Sequence, residues 1–275
     1  MSRLNAVFAE LAARSRKALV PYIVAGDPAL DTTVPLMHEL VKQGADILEL
    51  GVPFSDPMAE GPTIQLAHER ALENKVSLTM VLEMVREFRQ QDSNTPVVLM
   101  GYANPVERMG FKVFAERASA AGVDGLLTVD LPPEEAAEQV DVLRDNGIDT
   151  IFLLAPTTSE DRVKKIVSLA TGYLYCVSLK GVTGAGNLDT EAVARQLEVI
   201  KRHTTLPVTV GFGIKDGKSA AALAPLCEGV VVGSALIERL AKAQASQDTV
   251  PAVESAAALI AEIREAVDMV SSQSS

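Results

Sequence analysis

Residues 122–155, GVDGLLTVDLPPEEAAEQVDVLRDNGIDTIFLLA, contain one short pattern twice: a Gly, a hydrophobic residue and an Asp, followed by an apolar run. The copies begin at Gly122 and Gly147, about twenty-five residues apart, and an amphipathic segment between them predicts a helix over 134–145. A Gly placed after a helix commonly adopts the left-handed conformation that ends it. The stretch therefore predicts a repeated strand–helix unit.

The same unit extends outward in both directions along the chain. Gly44-Ala45-Asp46 is a third copy of the pattern, and it follows a helix predicted over 33–43. Eight short runs read as near-continuous apolar segments, which is typical of parallel strands buried on both faces. These predicted strands are 18–25, 46–52, 97–102, 125–131, 150–155, 173–179, 208–214 and 229–236.

Eight strand–helix units predict an α/β fold, a single (β/α)₈ TIM barrel that spans residues 1–275. We expect an additional helix at each end, with the N-terminal helix over about 1–16 and a frayed tail at 271–275. The main alternative is a doubly wound open sheet. That fold would be expected to carry a Gly-rich dinucleotide fingerprint after its first strand, where Ala25-Gly26-Asp27-Pro28 predicts only a turn.

The composition and net charge of the chain limit the classes of protein to which it can belong. The chain has 275 residues, 48% hydrophobic and 22% charged, as expected of a globular protein with a sizeable core. Its net charge of -11 disfavours nucleic acid and anionic membranes as partners. No apolar run of about eighteen residues and no secretory signal is visible, and Cys176 and Cys227 lie in apolar surroundings that suggest buried free thiols. We therefore expect a cytoplasmic protein.

Glu49 is the first candidate for chemistry. In a barrel, functional residues lie at the carboxyl ends of the strands. Alternation along Ile47–Gly51 directs Leu48 and Leu50 towards the helices and Glu49 into the barrel. Apolar surroundings should raise the pKa of this carboxyl towards neutrality, which suits a group that both takes and gives a proton. A buried ion pair is the structural alternative.

The loop over 53–62 offers a second carboxylate. It is longer than most strand–helix connections and rich in turn formers, so it can return to the mouth of the strand. Asp56 and Glu60 are the two candidates. Either could instead cap the helix that we predict to begin near Pro62.

Glycines after three strands predict a phosphate site. Gly211–Ile214 ends the seventh predicted strand, Gly233 and Ser234 lie in the eighth, and Gly181–Gly186 follows the sixth. Barrels frequently bind phosphate after strands seven and eight, through loop amides and a helix N-terminus. Tight turns are the alternative explanation for these glycines.

Two other chemistries have weak support in the sequence. A metal site would require clustered imidazoles, but each histidine lies alone on a predicted helix and is expected to be a surface or packing residue; they are His38, His68 and His203. A Schiff-base aldolase would require a desolvated lysine, and Lys180 is its one plausible candidate.

Two motifs resemble the tryptophan synthase alpha subunit family: Leu48–Pro57, LELGVPFSDP, and Gly181–Gly184, GVTG. With the glycines of strands seven and eight, the resemblance covers essentially the whole chain. Four further segments support it: 21–28, 101–105, 130–132 and 155–158.

This resemblance implies a lyase of tryptophan biosynthesis that cleaves indole-3-glycerol phosphate to indole and glyceraldehyde-3-phosphate. The reaction is a retro-aldol cleavage without a metal or organic cofactor in this chain. The family also docks a beta subunit that carries pyridoxal phosphate, typically in an α₂β₂ complex, and passes indole to it through a tunnel.

Carried over position by position, the resemblance implies a role for each candidate residue. Glu49 matches the acid–base residue, Glu60 the second carboxylate that accepts from the indole N–H, and Tyr175 a tyrosine near the glycerol portion. The remaining expectations are phosphate binding by Gly184, Gly213, Gly233 and Ser234, an indole pocket of Tyr22, Leu99, Tyr102 and Leu127, a lid at Thr183, and partner docking by Phe54, Asp56 and Pro57.

Two positions depart from the family pattern. The family has Asp where this chain has Glu60, and it commonly has Arg where this chain has Leu179. Because one added methylene can displace the carboxylate by about an ångström, Glu60 bears on turnover and lid closure. Leu179 bears on lid anchoring or ligand recognition. Two alternatives to the lyase stay open: a Schiff-base aldolase that uses Lys180, and a weakly active regulatory subunit that activates a partner enzyme.

Overall fold

The strands close into a barrel. The computed structural model describes residues 2–177, 190–211, 213–244 and 249–273. Eight parallel strands pair in sequence order, and the last pairs with the first, so the predicted (β/α)₈ barrel is confirmed. The strands are β1 (Ala18–Val24), β2 (Leu48–Gly51), β3 (Val97–Gly101), β4 (Gly125–Thr128), β5 (Asp149–Leu154), β6 (Leu174–Val177), β7 (Val208–Gly211) and β8 (Gly229–Val232).

Helices surround the barrel. They are α1 (Arg3–Ala13), α2 (Thr33–Lys42), α3 (Pro62–Glu73), α4 (Leu78–Phe88), α5 (Ala103–Met109), α6 (Phe111–Ala121), α7 (Ala137–Asp145), α8 (Glu160–Leu169), α9 (Thr190–Lys201), α10 (Gly217–Leu223), α11 (Ser234–Gln244) and α12 (Thr249–Gln273). In the parts of the chain that the structure describes, no helix is long and apolar enough to span a bilayer.

The last strand ends earlier than its apolar run predicts. We predicted a strand over 229–236, but β8 stops at Val232. The Gly233 carbonyl accepts hydrogen bonds from the N–H groups of Leu236 and Ile237, so the chain has already turned into α11. Gly233 and Ser234 therefore lie at the junction of strand and helix.

The repeated Gly–X–Asp pattern joins helix ends to strand starts. Gly44, Gly122 and Gly147 have φ values of 102°, 90° and 72°, the left-handed conformation expected of helix-ending glycines. The carboxylates that follow two of them accept hydrogen bonds from neighbouring strands: Asp46 from Leu19 N–H and Asp124 from Val97 N–H, each at 2.8 Å. At the amino-terminal end of the barrel, the pattern thus connects the start of one strand to the backbone of its neighbour.

Strand register determines which side chains face the interior. Glu49 is paired with Tyr22 on one side and Val98 on the other, and these three residues share the inner face. Leu99 is paired with Leu50, which faces the helices. The prediction that Leu99 lines the pocket is therefore wrong. Met100, the next residue, takes the inner position on β3.

Candidate active site

Glu49 is a fully buried carboxyl on the inner face of β2, two residues before that strand ends. The Tyr173 hydroxyl donates a 2.5 Å hydrogen bond to its Oε1, whereas Oε2 is buried without a partner among the described residues. Burial raises the pKa of Glu49 from its usual 4.5 to about 7, against the opposing effect of the Tyr173 hydrogen bond. Near neutral pH the group can therefore either donate or accept a proton.

Glu60 is the second buried carboxylate, and the loop after β2 returns it to the barrel mouth. Its Oε2 lies 3.1 Å from His68 Nε2 and 3.4 Å from the Tyr22 hydroxyl. Helix α3 is capped by Gly61 without a side-chain hydrogen bond, so neither predicted carboxylate caps it. Asp56 is exposed. Of the two candidates on this loop, Glu60 is the one that the fold buries.

Two tyrosines lie close to both carboxylates. Burial raises the pKa of Tyr175 well above its usual value, and the nearby charges of Glu49 and Glu60 raise it further. Burial also raises the pKa of Tyr22, again with contributions from Glu60 and Glu49. Tyr22 is also paired with Glu49 in the strand register, and its hydroxyl lies 3.4 Å from Glu60 Oε2, so Glu49 and Glu60 border the same space inside the barrel.

The phenols of Tyr22 and Tyr175 occupy space that is left free because the neighbouring strand has a glycine there. A Cβ built on Gly211 would lie 1.9 Å from the Tyr175 hydroxyl oxygen, and one built on Gly51 would lie 2.4 Å from that of Tyr22. Both distances are far shorter than van der Waals contact. A side chain at either of these strand ends would therefore displace the phenol on the neighbouring strand.

Known proteins are similar to this chain in both sequence and architecture. The family model described as "Tryptophan synthase alpha chain" matches residues 8–268. The tryptophan synthase alpha chain of Thioalkalivibrio sulfidiphilus is 58% identical over 268 residues, which cover 98% of this chain and 100% of the relative. The chain belongs to the tryptophan synthase alpha chain family. It is a lyase that carries out the alpha reaction of tryptophan biosynthesis.

Solved structures of the tryptophan synthase alpha chain family agree with this assignment. The Legionella pneumophila subunit alpha is 46% identical and superposes with a TM-score of 0.91 over 98% of this chain and 99% of that one. A chain of tryptophan synthase from Mycobacterium tuberculosis, in an aminoacrylate-bound form, is 34% identical, with a TM-score of 0.86 over 97% of this chain and 100% of that one.

The predicted phosphate residues that the structure describes follow neighbouring strands. Gly213 comes after β7 with a φ of 81°, and Gly233 and Ser234 come between β8 and α11. The first N–H groups of a helix have no partner within it and attract anions. The residues of the segment after β6 that we discussed from the sequence lie outside the described residues: Leu179, Lys180, Thr183, Gly184 and the rest of 181–186.

The predicted indole pocket is partly assembled on the inner face. Tyr22 and Leu127 face inward, as does Met100 in place of Leu99. Tyr102 is 2% exposed, and its hydroxyl accepts a 3.2 Å hydrogen bond from Ala59 N–H. This bond joins the end of β3 to the loop that carries Glu60.

The predicted docking residues differ in exposure. Phe54, which we expected to dock a partner, is half-buried and stacks on Tyr102 with ring centroids 4.9 Å apart. Pro57 is buried and Asp56 is exposed. The sequence analysis did not select Met58, which is 81% exposed on the same loop. Asp56 and Met58 are therefore among the exposed residues of this loop that another protein could touch.

Sequence analysis also missed two residues that contact the carboxylates. His68 was expected to be a surface or packing residue, and it is buried on α3 at 1% exposure, but its contact with Glu60 was not predicted. Tyr173 was not selected, although it precedes the candidate Tyr175 by two residues and so shares its inward direction. That spacing was the available signal for Tyr173. No comparable signal identified His68.

Proposed function

We propose that the alpha reaction in this chain is the cleavage of indole-3-glycerol phosphate, with Glu49 as the proton carrier. The observation that carries the proposal is the state of this side chain: fully buried, held through Oε1, unpartnered at Oε2 among the described residues, and with a pKa of about 7. A general acid–base group is most effective when its pKa lies near the working pH.

The proton balance of the cleavage fits one such group. Protonated Glu49 gives its proton to C3 of the indole ring, which leaves positive charge on the ring nitrogen. The resulting carboxylate then takes the proton of the adjacent glycerol hydroxyl. As the aldehyde forms, the carbon–carbon bond breaks and its electron pair neutralises the ring. Glu49 ends the cycle protonated, as it began.

In this proposal the second carboxylate stabilises the charged ring. Glu60 accepts a hydrogen bond from the indole N–H, and this bond strengthens as positive charge develops on the nitrogen. Tyr175 lies near both carboxylates and contacts the glycerol portion. Tyr22, Met100, Tyr102 and Leu127 provide the apolar surroundings of the ring.

The phosphoryl end binds at the ends of β7 and β8 in the same proposal. Gly213, Gly233 and Ser234 present backbone N–H groups there, with Gly184 and the lid residue Thr183 expected to complete the site. An anchor at this end orients the scissile bond towards Glu49, and such orientation contributes to rate.

We also propose the partner and cofactor arrangement typical of the family. The chain uses its own side chains for the proton steps and requires no metal or organic cofactor for them. It docks a pyridoxal-phosphate beta subunit in an α₂β₂ complex, and the exposed Asp56 and Met58 contribute to the contact. The released indole passes to that partner.

An indole-release assay tests the proposal, with indole-3-glycerol phosphate as substrate and with or without the beta subunit. We expect release in both conditions and a higher rate with the partner. No release in either condition, together with full activation of the beta subunit, would favour the regulatory alternative instead. Borohydride trapping of a covalent adduct at Lys180 would favour the Schiff-base alternative.

A further inference from the structure

We infer that His68 is a positioning residue that fixes the direction of the Glu60 carboxylate. It also connects this carboxylate to the backbone of Phe54, in the loop over 53–62 that we propose to dock the partner. The inference rests on the proposed role of Glu60 as the carboxylate that meets the indole N–H. It adds a histidine on α3 to the residues on which that role depends.

The two ring nitrogens of His68 have different partners, and this assigns the tautomer. Phe54 N–H donates a 3.0 Å hydrogen bond to Nδ1, so Nδ1 carries a lone pair. The single proton of the neutral ring is then on Nε2, 3.1 Å from Glu60 Oε2. A second proton on Nδ1 would set one N–H donor against another. His68 therefore acts as a neutral donor aimed at the carboxylate.

Tyr22 completes the arrangement around one oxygen of Glu60. Its hydroxyl lies 3.4 Å from Glu60 Oε2 and 3.3 Å from His68 Nε2. Because Nε2 already carries a proton, the hydroxyl proton of Tyr22 is free to point at Glu60 Oε2. Within the described residues, both hydrogen bonds to the Glu60 side chain end on Oε2. Oε1 is then the oxygen that faces the ligand's N–H.

The helix that carries His68 is fixed to the β1 side of the barrel. Arg70 pairs with the buried Asp27 through two hydrogen bonds of 2.6 and 3.0 Å. Asn74 donates through Nδ2 to the carbonyls of Gly26 and Pro28. His68 thus links an anchored helix to Phe54, whose loop is proposed to dock the partner. A shift of the Phe54 backbone on docking therefore acts directly on the ring that holds Glu60.

Two substitutions separate the two hydrogen bonds of the ring. In His68→Asn, the amide oxygen can replace Nδ1 as the acceptor for Phe54 N–H, but the side chain is too short to reach Glu60. In His68→Gln, the longer amide can replace the Nε2 donor to Glu60, but it no longer accepts from Phe54. A matched control is His38→Asn, because His38 lies on α2 against Phe88, with ring centroids 4.7 Å apart.

Kinetics of these variants give the first test. A hydrogen bond to a charged group contributes enough that its loss in His68→Asn should lower kcat for indole release about tenfold or more, with KM changed less than about threefold. His68→Gln should keep kcat within about threefold and lose much of the rate increase caused by the beta subunit. His38→Asn should match the unmodified chain. Unchanged kcat in His68→Asn, with unchanged partner activation in His68→Gln, would overturn the inference.

A spectroscopic test is independent of activity. The chain has three histidines, so ¹⁵N-histidine labelling gives three ring systems, and the His68 signals are those lost in His68→Gln. We expect an unprotonated Nδ1 and a protonated Nε2 for His68 at neutral pH. A protonated Nδ1 would overturn the hydrogen-bond assignment even if the variants lose activity.

The outcomes distinguish this inference from the proposed function. If the unmodified chain releases no indole, the proposed function fails, and the NMR tautomer still decides the His68 geometry. If the unmodified chain is active, Glu49→Gln is inactive and both His68 variants behave like the unmodified chain, the inference alone fails.

Discussion

Two buried carboxylates at opposite ends of the barrel show how differently one chemical group can be used. At the amino end, Asp124 accepts from Arg89, from Arg3 and from Val97 N–H, all within 2.8 Å. At the carboxyl end, Glu49 has one tyrosine hydroxyl and an unpartnered buried oxygen among the described residues. The first arrangement stabilises the fold. The second keeps a carboxyl available for proton transfer and costs stability.

Glu49→Gln should produce the largest effect on the functional side of this comparison. The amide has nearly the same shape but cannot carry a proton, so we expect kcat for indole release to fall at least about 10³-fold. Stability should be equal or higher at neutral pH, because a buried ionisable group has been removed. Indole release and urea unfolding measure the two effects. Persistent indole formation would show that another group carries the proton.

The Asp124→Asn substitution tests the structural role of the carboxylate at the amino end of the barrel. Removing one member of a buried pair leaves Arg89 uncompensated, and we expect a loss of about 3 kcal/mol in the free energy of unfolding. Because the residue lies at the amino end, kcat at low temperature should stay within about twofold. Urea unfolding with a parallel rate measurement checks this. A large fall in kcat of the folded variant would contradict the division between the two ends.

The pH dependence of stability should also reveal Glu49. Its folded-state pKa of about 7 lies above the usual 4.5, so the folded chain binds this proton more tightly than the unfolded chain. The stability it contributes is present below pH 4.5 and is lost as pH rises towards and through 7. Relative to Glu49→Gln, the unmodified chain should lose about 3 kcal/mol across that window. Parallel curves for the two proteins would refute the raised pKa.

Tyr173→Phe should have the smallest effect. The Tyr173 hydrogen bond holds the pKa of Glu49 down, so its removal should raise that pKa. The limb of the rate profile that reports Glu49 should move to higher pH, with a several-fold fall in kcat because the carboxyl is less well held. A profile measured from pH 5 to 9 checks this, and a shift to lower pH would reverse the interpretation.

The fold was predictable because its signals are local. Eight apolar runs and three helix-ending glycines needed only neighbouring residues, and alternation was enough to direct Glu49 inward. The resemblance assigned Leu99 to the pocket, and the pattern of 97–101, VVLMG, could not correct it. This segment is apolar throughout, so only pairing with β2 decides which residues face inward. The end of β8 was missed for the same reason, since its apolar run continues into α11.

The contacts around Glu60 could not be predicted from spacing. His68 lies on a helix, and helical periodicity indicates a face without saying what packs against it. Its partners, Glu60 and Phe54, lie eight and fourteen residues earlier on an irregular loop. Only the path of that loop brings them together, and the sequence does not encode the path as a repeating pattern.

The absence of a side chain at Gly211 affects how substitutions in this protein should be interpreted. The residue has no side chain of its own, yet the space it leaves is filled by the Tyr175 hydroxyl. A methyl group at position 211 would therefore displace the Tyr175 phenol on the neighbouring strand, so a substitution at 211 would have the effect of a substitution at 175. In any survey of substitutions, changes at 211 and at 175 should therefore have similar effects on activity. Which residues are tolerated at one position should depend on the residue present at the other.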